Sequence, residues 1–315
     1  MADSTLATTS LDSPDPQTIE NRLWKRIAFG VARGFIVAIS AWFGLAGLYQ
    51  FGRWFGTLEW LINFKRRRRF VATLEEIIQR KPSASQRRMH TREFFMRSRC
   101  DKLLVLVLDS LPRERAAGLL TLENRELLDA ALARGRGVYL ALSHFGPQHI
   151  IGTLMAINGY RSVGVRDRNE GAIRKYVQAR LRRKYPEIQR LRMLFADSFP
   201  REIYRCLEEG HLLGSAIDVS RVREVHHKVE EVTIFGQQRY FPTGPIRIAL
   251  HCGAPVLQAW IVPEKNFRYR FEIIEMLLDP AETRNDATAI SIALKRYAAN
   301  VERRAMERPY LVTRV

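Results

Sequence analysis

Residues 34–52 (GFIVAISAWFGLAGLYQFG) form a run of 19 uncharged residues between Arg33 and Arg53. As a helix, this run extends over roughly 28 Å, close to the ~30 Å hydrocarbon core of a bilayer. Its many Ala and Gly residues suit helices that pack inside membranes. The run predicts an anchor that spans the membrane or is deeply embedded in it. A helix lying in the membrane plane and a buried helix of a globular core remain as alternatives.

The segment after this run is aromatic and strongly basic. Trp54, Trp60 and Phe64 precede the run Lys65-Arg66-Arg67-Arg68-Arg69, an order that suits a membrane interface and an anionic leaflet. Residues 21–100 carry 17 basic and 4 acidic side chains, and the whole chain has a net charge of +18. Most of the basic residues are Arg, whose planar guanidinium suits phosphate and carboxylate, so we expect an anionic partner.

The composition divides the chain into three regions. Residues 1–20 are rich in Ser, Thr, Pro and Asp and contain no Lys or Arg, which predicts a disordered tail. Residues 21–69 form the predicted membrane anchor with its basic interfacial segment, and residues 70–315 form the remaining predicted domain. Three widely spaced cysteines exclude a disulfide framework and a zinc ribbon, and they favour a reducing compartment.

Residues 70–108 have a basic helical pattern, and after them short apolar strands alternate with amphipathic helices. This alternation predicts an α/β fold, a mixed sheet covered by helices on both faces. The predicted strands are 138–142, 161–165, 212–217, 232–235 and 255–262. The predicted helices are 127–133, 145–158, 170–184, 243–251 and 286–306.

The most informative stretch is Ser143-His144-Phe145-Gly146-Pro147-Gln148-His149. His144 follows a buried strand where the chain turns into a helix, and functional groups of open α/β sheets gather outside the carboxyl ends of strands. The positive end of the helix dipole favours the neutral imidazole, which suits a general base. A structural His in the turn is the alternative interpretation of this position.

Several passages, in order, resemble the bacterial lipid A late acyltransferases, which are related to the lysophospholipid acyltransferases. Residues 137–146 (GVYLALSHFG) are similar to the approach to the catalytic His of the H-x4-(D/E) motif. The further passages are 163–166 with Asn169, 210–218, 235–236, 243–245, 249–250 and 253–256. The resemblance covers about residues 25–310 and implies a glycerolipid-acyltransferase-like fold with an N-terminal membrane helix.

Two positions depart from the pattern of that family. His149 stands where the family carries Asp or Glu, and Val219 stands where Gln tends to follow Asp218. The resemblance implies that His144 is the catalytic base and His149 its partner, although a neutral His149 lacks the charge that stabilises an imidazolium. A weakly active pair, substitution by another carboxylate such as Asp218, and loss of catalysis all remain open.

Further positions are candidate substrate contacts. Arg166 and Arg168 resemble the phosphate-facing arginines of the family, with solvated surface charge as the alternative. Asp218 ends a predicted strand. Thr243 and Gly244 open a predicted helix, where backbone N–H groups suit an oxyanion. No arrangement of His or Cys predicts a metal site, and no cofactor is expected.

The resemblance implies an O-acyltransferase of lipid A biosynthesis. It would move a fatty acyl chain from acyl carrier protein or coenzyme A to a hydroxyl of an anionic membrane lipid. We expect it at the bacterial inner membrane with its catalytic domain on the cytoplasmic side. A lipid-binding or accessory protein of the same fold, catalytically impaired, is the alternative. Nucleic-acid binding is disfavoured because the positive charge concentrates beside the apolar segment and no nucleic-acid module is recognisable.

Overall fold

A computed structural model describes residues 16–166, 172–195, 200–218, 229–283 and 287–313. Most of the predicted tail, Arg168, Asn169 and Val219 therefore lie outside the described residues. The helices are α1 Pro16–Ile62, α2 Phe64–Ile78, α3 Ala84–Val107, α4 Arg113–Ala117, α5 Arg125–Ala133, α6 Gln148–Ile157, α7 Ala172–Lys184, α8 Pro200–Glu208, α9 Gly244–His251 and α10 Ala287–Glu307. The strands are β1 Leu120–Glu123, β2 Val138–Leu142, β3 Ser162–Arg166, β4 Arg192–Phe195, β5 Leu212–Ala216, β6 Val229–Ile234, β7 Gln237–Pro242, β8 Val256–Pro263 and β9 Tyr269–Leu278.

Seven strands form one mixed sheet in the order β1-β9-β8-β2-β5-β3-β4, and β6 and β7 form a separate hairpin. Within the large sheet the pairs are parallel except β8 and β9. The predicted α/β fold with a mixed sheet is confirmed. The sequence analysis did not predict β1, β4, β7 and β9, because these strands lack the uninterrupted apolar run of β2.

Alternate side chains of β2 serve two hydrophobic clusters, one on each face of the sheet. Val138 and Leu140 pack in a cluster with residues of α1, α3, α5, α6 and α7. Tyr139 and Ala141 pack in a second cluster with residues of α8, α9 and α10. Strand β2 is thus buried on both faces in the middle of the sheet, and its carboxyl end is held rigidly.

Helix α1 contains the uncharged run, but it is not straight. Gly44 has φ +66°, which is outside the helical region, and it divides the helix within the predicted span. Of the described helices, the Ile27–Ile62 part of α1 is the one with the length and apolar composition needed to cross a bilayer. The structure thus shows a long apolar helix with a break, and its membrane insertion stays a prediction.

The second half of α1 packs closely on α3. A Cβ at Gly56 would lie 2.6 Å from Met96 Cα, so only glycine permits this contact between the helix backbones. Leu48 and Tyr49 are buried in the same cluster as the sheet residues. In the first half, Arg33 donates two hydrogen bonds to the Asp109 carboxylate, of 2.7 and 2.9 Å. Helix α1 therefore lies along the α/β domain at two separate points.

Candidate active site

The chain reverses direction sharply after β2, at the turn that carries His144. Gly146 has φ +73°, and a Cβ there would lie 2.0 Å from the carbonyl oxygen of Ile261 in β8. Only glycine fits this turn, because the left-handed conformation and the close strand both exclude a side chain. The backbone N–H and the hydroxyl of Thr313 donate to the His144 carbonyl at 2.8 and 3.0 Å. The His144 backbone is thereby fixed from the C-terminal segment as well.

The structure places Asp218 beside His144. Strands β2 and β5 are parallel neighbours, with Leu142 opposite Ala216. His144 and Asp218 each follow their strand by two residues, so the register of the sheet brings them together. The Asp218 carboxylate lies 2.8 Å from Nδ1 of His144 and also accepts the His144 backbone N–H at 2.7 Å.

This geometry fixes the protonation pattern of the imidazole. A carboxylate only accepts hydrogen bonds, so the neutral form of His144 carries its proton on Nδ1 and leaves the lone pair on Nε2. The His144 side chain is 23% exposed and the Asp218 side chain 10% exposed. The pair is thus mostly shielded from water, while the imidazole retains an accessible face. This is the arrangement of a general base with an orienting acid.

His149 lies in the first turn of α6 and lines the same cavity as His144. The resemblance implies that His149 is the partner of His144, whereas the structure places the Asp218 carboxylate at Nδ1 of His144. The reason is the strand order, which puts β5 directly beside β2 and which sequence spacing does not reveal. Of the alternatives left open above, substitution of the missing acid by Asp218 is the one that matches this geometry.

A cavity of about 430 Å³ adjoins the imidazole. Its wall is mainly aliphatic and comes from α3, α6, α7 and the strands β2, β3 and β5. Gly164 and Gly214 line it from two of these strands, where a Cβ would lie about 3.1 Å from a neighbouring side chain. The cavity therefore suits a hydrocarbon chain better than a polar ligand.

A buried tyrosine supports the end of β2 from the other face. Tyr297 of α10 donates its hydroxyl to the Leu142 carbonyl at 2.7 Å. Burial raises the pKa of Tyr297 well above its ordinary value, and the Asp218 charge raises it further. Tyr297 therefore remains a donor at physiological pH and does not add a competing negative charge.

The remaining predicted site residues are more dispersed. Arg166 ends β3, two strands from His144 along the same sheet edge, whereas Arg168 lies outside the described residues. Thr243 and Gly244 begin α9, whose buried residues join the cluster on the face opposite the apolar cavity. Thr243 is buried and accepts a hydrogen bond from Arg247 Nε at 3.3 Å, although its side chain makes no cap hydrogen bond with the helix. The substrate-binding roles of these residues stay predictions.

The sequence analysis also missed a second cavity, which is lined by basic side chains. Arg115, Lys265, Arg268 and Arg308 contribute to it from three separate parts of the chain. No motif or local spacing links these residues, so the sequence alone carried no signal for the cavity.

Comparison with known proteins agrees with this architecture. No curated protein gives a significant match to the sequence. The family model described as bacterial lipid A biosynthesis acyltransferase matches residues 22–309. That match includes the His144–Asp218 pair, the whole mixed sheet and nearly all of α1. The chain therefore belongs to the bacterial lipid A biosynthesis acyltransferase family.

Proposed function

We propose that this protein is an O-acyltransferase that moves a fatty acyl chain from an acyl thioester to a hydroxyl of a membrane glycolipid. The observation that carries the proposal is the His144–Asp218 pair beside an aliphatic cavity. The proposed donor is acyl carrier protein or acyl-coenzyme A, and the proposed acceptor is an anionic lipid of lipid A biosynthesis. Family membership supports the acyltransferase activity. The identities of the donor and the acceptor are proposed in addition.

The proposed reaction is a direct attack of the acceptor on the donor. Nε2 of His144 takes the proton of the acceptor hydroxyl while the hydroxyl oxygen bonds to the thioester carbonyl carbon. The C–S bond then breaks, and the leaving thiolate takes the proton from the imidazolium. Asp218 keeps the tautomer that makes Nε2 basic, and its charge stabilises the imidazolium. The atoms balance without a covalent acyl-enzyme.

We propose that the aliphatic cavity holds the acyl chain. Each buried CH₂ contributes about 0.8 kcal/mol, so a long chain gains enough to place its thioester beside His144 reproducibly. His149 lines this cavity and is a proposed substrate contact or secondary partner of the imidazole. Arg166, Arg168, Thr243 and Gly244 remain proposed contacts for donor or acceptor oxygens.

We further propose that α1 attaches the protein to the inner membrane, with the catalytic domain on the cytoplasmic side. Several large apolar side chains of α1 are exposed, among them Phe35, Trp42, Phe43 and Trp54. Exposed apolar surface of this extent marks a membrane or protein contact. The adjoining basic segment favours anionic lipid. An acceptor in the bilayer then reaches the site without leaving the membrane.

An acyl-transfer assay tests the proposal. The full chain, purified in detergent, is given acyl carrier protein thioester or acyl-coenzyme A together with a lipid A precursor, and acylated lipid is measured by mass spectrometry. We expect transfer with the parent and loss of at least ~10²-fold with His144→Ala. Lipid binding without transfer from either donor would favour the accessory-protein alternative. The lipid profile of a deletion strain then identifies the acceptor by the missing acylated species.

A further inference from the structure

The basic cavity has a volume of about 1030 Å³ and is more than twice as large as the aliphatic one. It lies where β8 ends and β9 and β1 begin, and the loop Glu264–Arg268 forms part of its wall. Because β8 is parallel to β2, this is the same edge of the sheet at which His144 lies. Leu45 and Ala46 of α1 close one side of the cavity.

The charge in this cavity is mostly uncompensated. Its lining contains six cationic side chains and one carboxylate, Glu264. Arg97 is satisfied by Glu93 and two backbone carbonyls, and Arg270 is paired with Glu272. The other four cations have no side-chain partner among the described residues. They are Arg115, Lys265, Arg268 and Arg308.

The loop that presents two of these cations is held in a strained conformation. Asn266 and Phe267 are consecutive residues with φ of +56° and +62°. Such values are rare for a bulky side chain and persist only where surrounding contacts enforce them. Phe267 supplies those contacts, because it is 1% exposed and packs edge-on against Tyr49 of α1, with ring centroids 5.4 Å apart. Helix α1 thus fixes the position of Lys265 and Arg268.

The cavity lies within reach of the catalytic pair. Arg308 precedes Thr313 by five residues, and Thr313 is hydrogen-bonded to the His144 carbonyl. An extended chain of five residues covers at most about 18 Å, so the Arg308 backbone lies no farther than this from Thr313. The Arg308 end of the basic cavity therefore lies near the turn that carries His144, at the same edge of the sheet.

We propose that the basic cavity binds a phosphate monoester on the headgroup of the acceptor lipid. Four cations without a side-chain partner in the described part of the chain suit a dianionic group, and guanidinium binds phosphate with two parallel hydrogen bonds. The apolar side formed by α1 suits the acyl chains of the same lipid. This inference rests on the proposed function and adds how the acceptor is oriented: its phosphate is held in the cavity while its hydroxyl faces His144.

The test compares a phosphorylated lipid A precursor with its dephosphorylated counterpart, both in mixed micelles with the full chain. Binding is measured in the His144→Ala background, so that no turnover occurs. We expect the double variant Arg268→Gln/Arg308→Gln to weaken binding of the phosphorylated probe by about tenfold for each cation removed. Binding of the dephosphorylated probe stays unchanged. If this double variant does not fold, the double variant Arg115→Gln/Lys265→Gln, from the same cavity, replaces it. We expect it to weaken binding of the phosphorylated probe selectively as well.

The matched control is Arg201→Gln/Lys295→Gln. It removes two exposed cations that do not line the cavity, and its net charge equals that of each cavity variant. With His144 intact, the cavity variants are expected to raise the KM for the lipid acceptor and leave that for the thioester donor unchanged.

Three results would overturn the inference. One is equal weakening by the control pair, and another is binding of inorganic phosphate alone as tightly as the phosphorylated lipid. The third is a raised KM for acyl carrier protein thioester alone, which would make the cavity a docking site for an acidic protein. Failure of the proposed function is distinguishable, because selective binding of the phosphorylated probe would persist while the parent transferred no acyl chain.

Discussion

The aliphatic and basic cavities differ in where their linings come from. The aliphatic cavity is walled by strand faces and by helices α6 and α7, inside the fold. The basic cavity is walled by loops and strand termini at the edge of the sheet, beside α1. Charges inside the fold would lose their hydration without compensation, whereas cations at the edge remain partly hydrated. The same sheet can therefore support two opposite kinds of recognition.

The comparison also shows that the two cavities depend on different parts of the chain. Residues of the parallel strands and the helices that follow them form most of the aliphatic cavity, with single residues added by α3 and β9. The basic cavity needs α1, the β8–β9 loop and the C-terminal segment that contains Tyr310. Helix α1 is thus part of a proposed binding site as well as the predicted membrane attachment.

The largest expected effect concerns the His144–Asp218 pair beside the aliphatic cavity. Asp218→Asn should lower acyl transfer by at least ~10²-fold, comparable with His144→Ala, because the amide NH₂ would face Nδ1 and favour the wrong tautomer. His149→Ala should stay within a few-fold of the parent. The turnover rates of the three folded variants, each checked by circular dichroism, decide the question. Strong loss in His149→Ala with an active Asp218→Asn would make His149 the partner of the base.

The second prediction concerns the binding of α1 to membranes. Trp42 is 83% exposed, so its replacement by Gln should leave the fold intact. Burial of such a side chain contributes about 1.5–3 kcal/mol, so binding to anionic vesicles should weaken at least about tenfold. Vesicle co-sedimentation measures this change.

Ile292→Gln, which alters an exposed residue of α10, is the control for that experiment and should bind like the parent. Unchanged binding of Trp42→Gln would mean that the first half of α1 does not enter the bilayer. The attraction would then have to come from the basic segment and would fall with added salt.

The third prediction tests which of the two cavities holds the acyl chain. The measured quantity is the preference for donors of different acyl length. Gly152 of α6 lines the aliphatic cavity, and a Cβ there would lie 3.4 Å from Leu191. Gly152→Leu should shift the preference to shorter donors, lowering kcat/KM for the longer ones about fourfold for each methylene displaced. Ala46→Leu, which adds similar volume beside the basic cavity, should leave the chain-length profile unchanged. A shift with Ala46→Leu alone would place the acyl chain along α1.

The smallest expected effect is on protein stability and concerns the buried contact between α3 and β9. Asp101 of α3 accepts a hydrogen bond from Tyr269 of β9 at 3.0 Å, and burial raises the pKa of Asp101 from 3.8 to about 7. The folded protein therefore binds more protons than the unfolded chain between pH ~4 and 7. Stability conferred by this group is present below pH ~4 and is lost as the pH rises through 7, by at most about 1.4 kcal/mol per pH unit.

Asp101→Asn keeps the acceptor oxygen and cannot ionise, so its thermal stability should decline less than that of the parent between pH 5 and 8. The difference in Tm should be a few degrees. Asp129→Asn, at an exposed ion pair, is the control. Identical pH dependence in the parent and Asp101→Asn would show that Asp101 is not protonated in the folded state.

Much of the fold followed from local pattern. Strands β2, β5 and β8 were predictable because each is a short apolar run bounded by turn residues, and α10 because its apolar residues recur with helical spacing. The position of His144 was predictable for the same reason, since it follows the end of a recognisable strand. The β6–β7 hairpin was only half predicted, because the alternation of β7 is interrupted by exposed polar residues.

The sequence by itself determined that an α/β domain carries a His at a strand end, behind a long apolar and basic N-terminal segment. Only the tertiary structure decided which side chain faces Nδ1 of that His. His149 is near in sequence, whereas Asp218 is 74 residues away and is brought to Nδ1 by the register of two parallel strands. The basic cavity likewise depends on the order of strands in the sheet. Local propensity follows from neighbouring side chains, whereas strand order is set by how the whole chain buries its apolar surface.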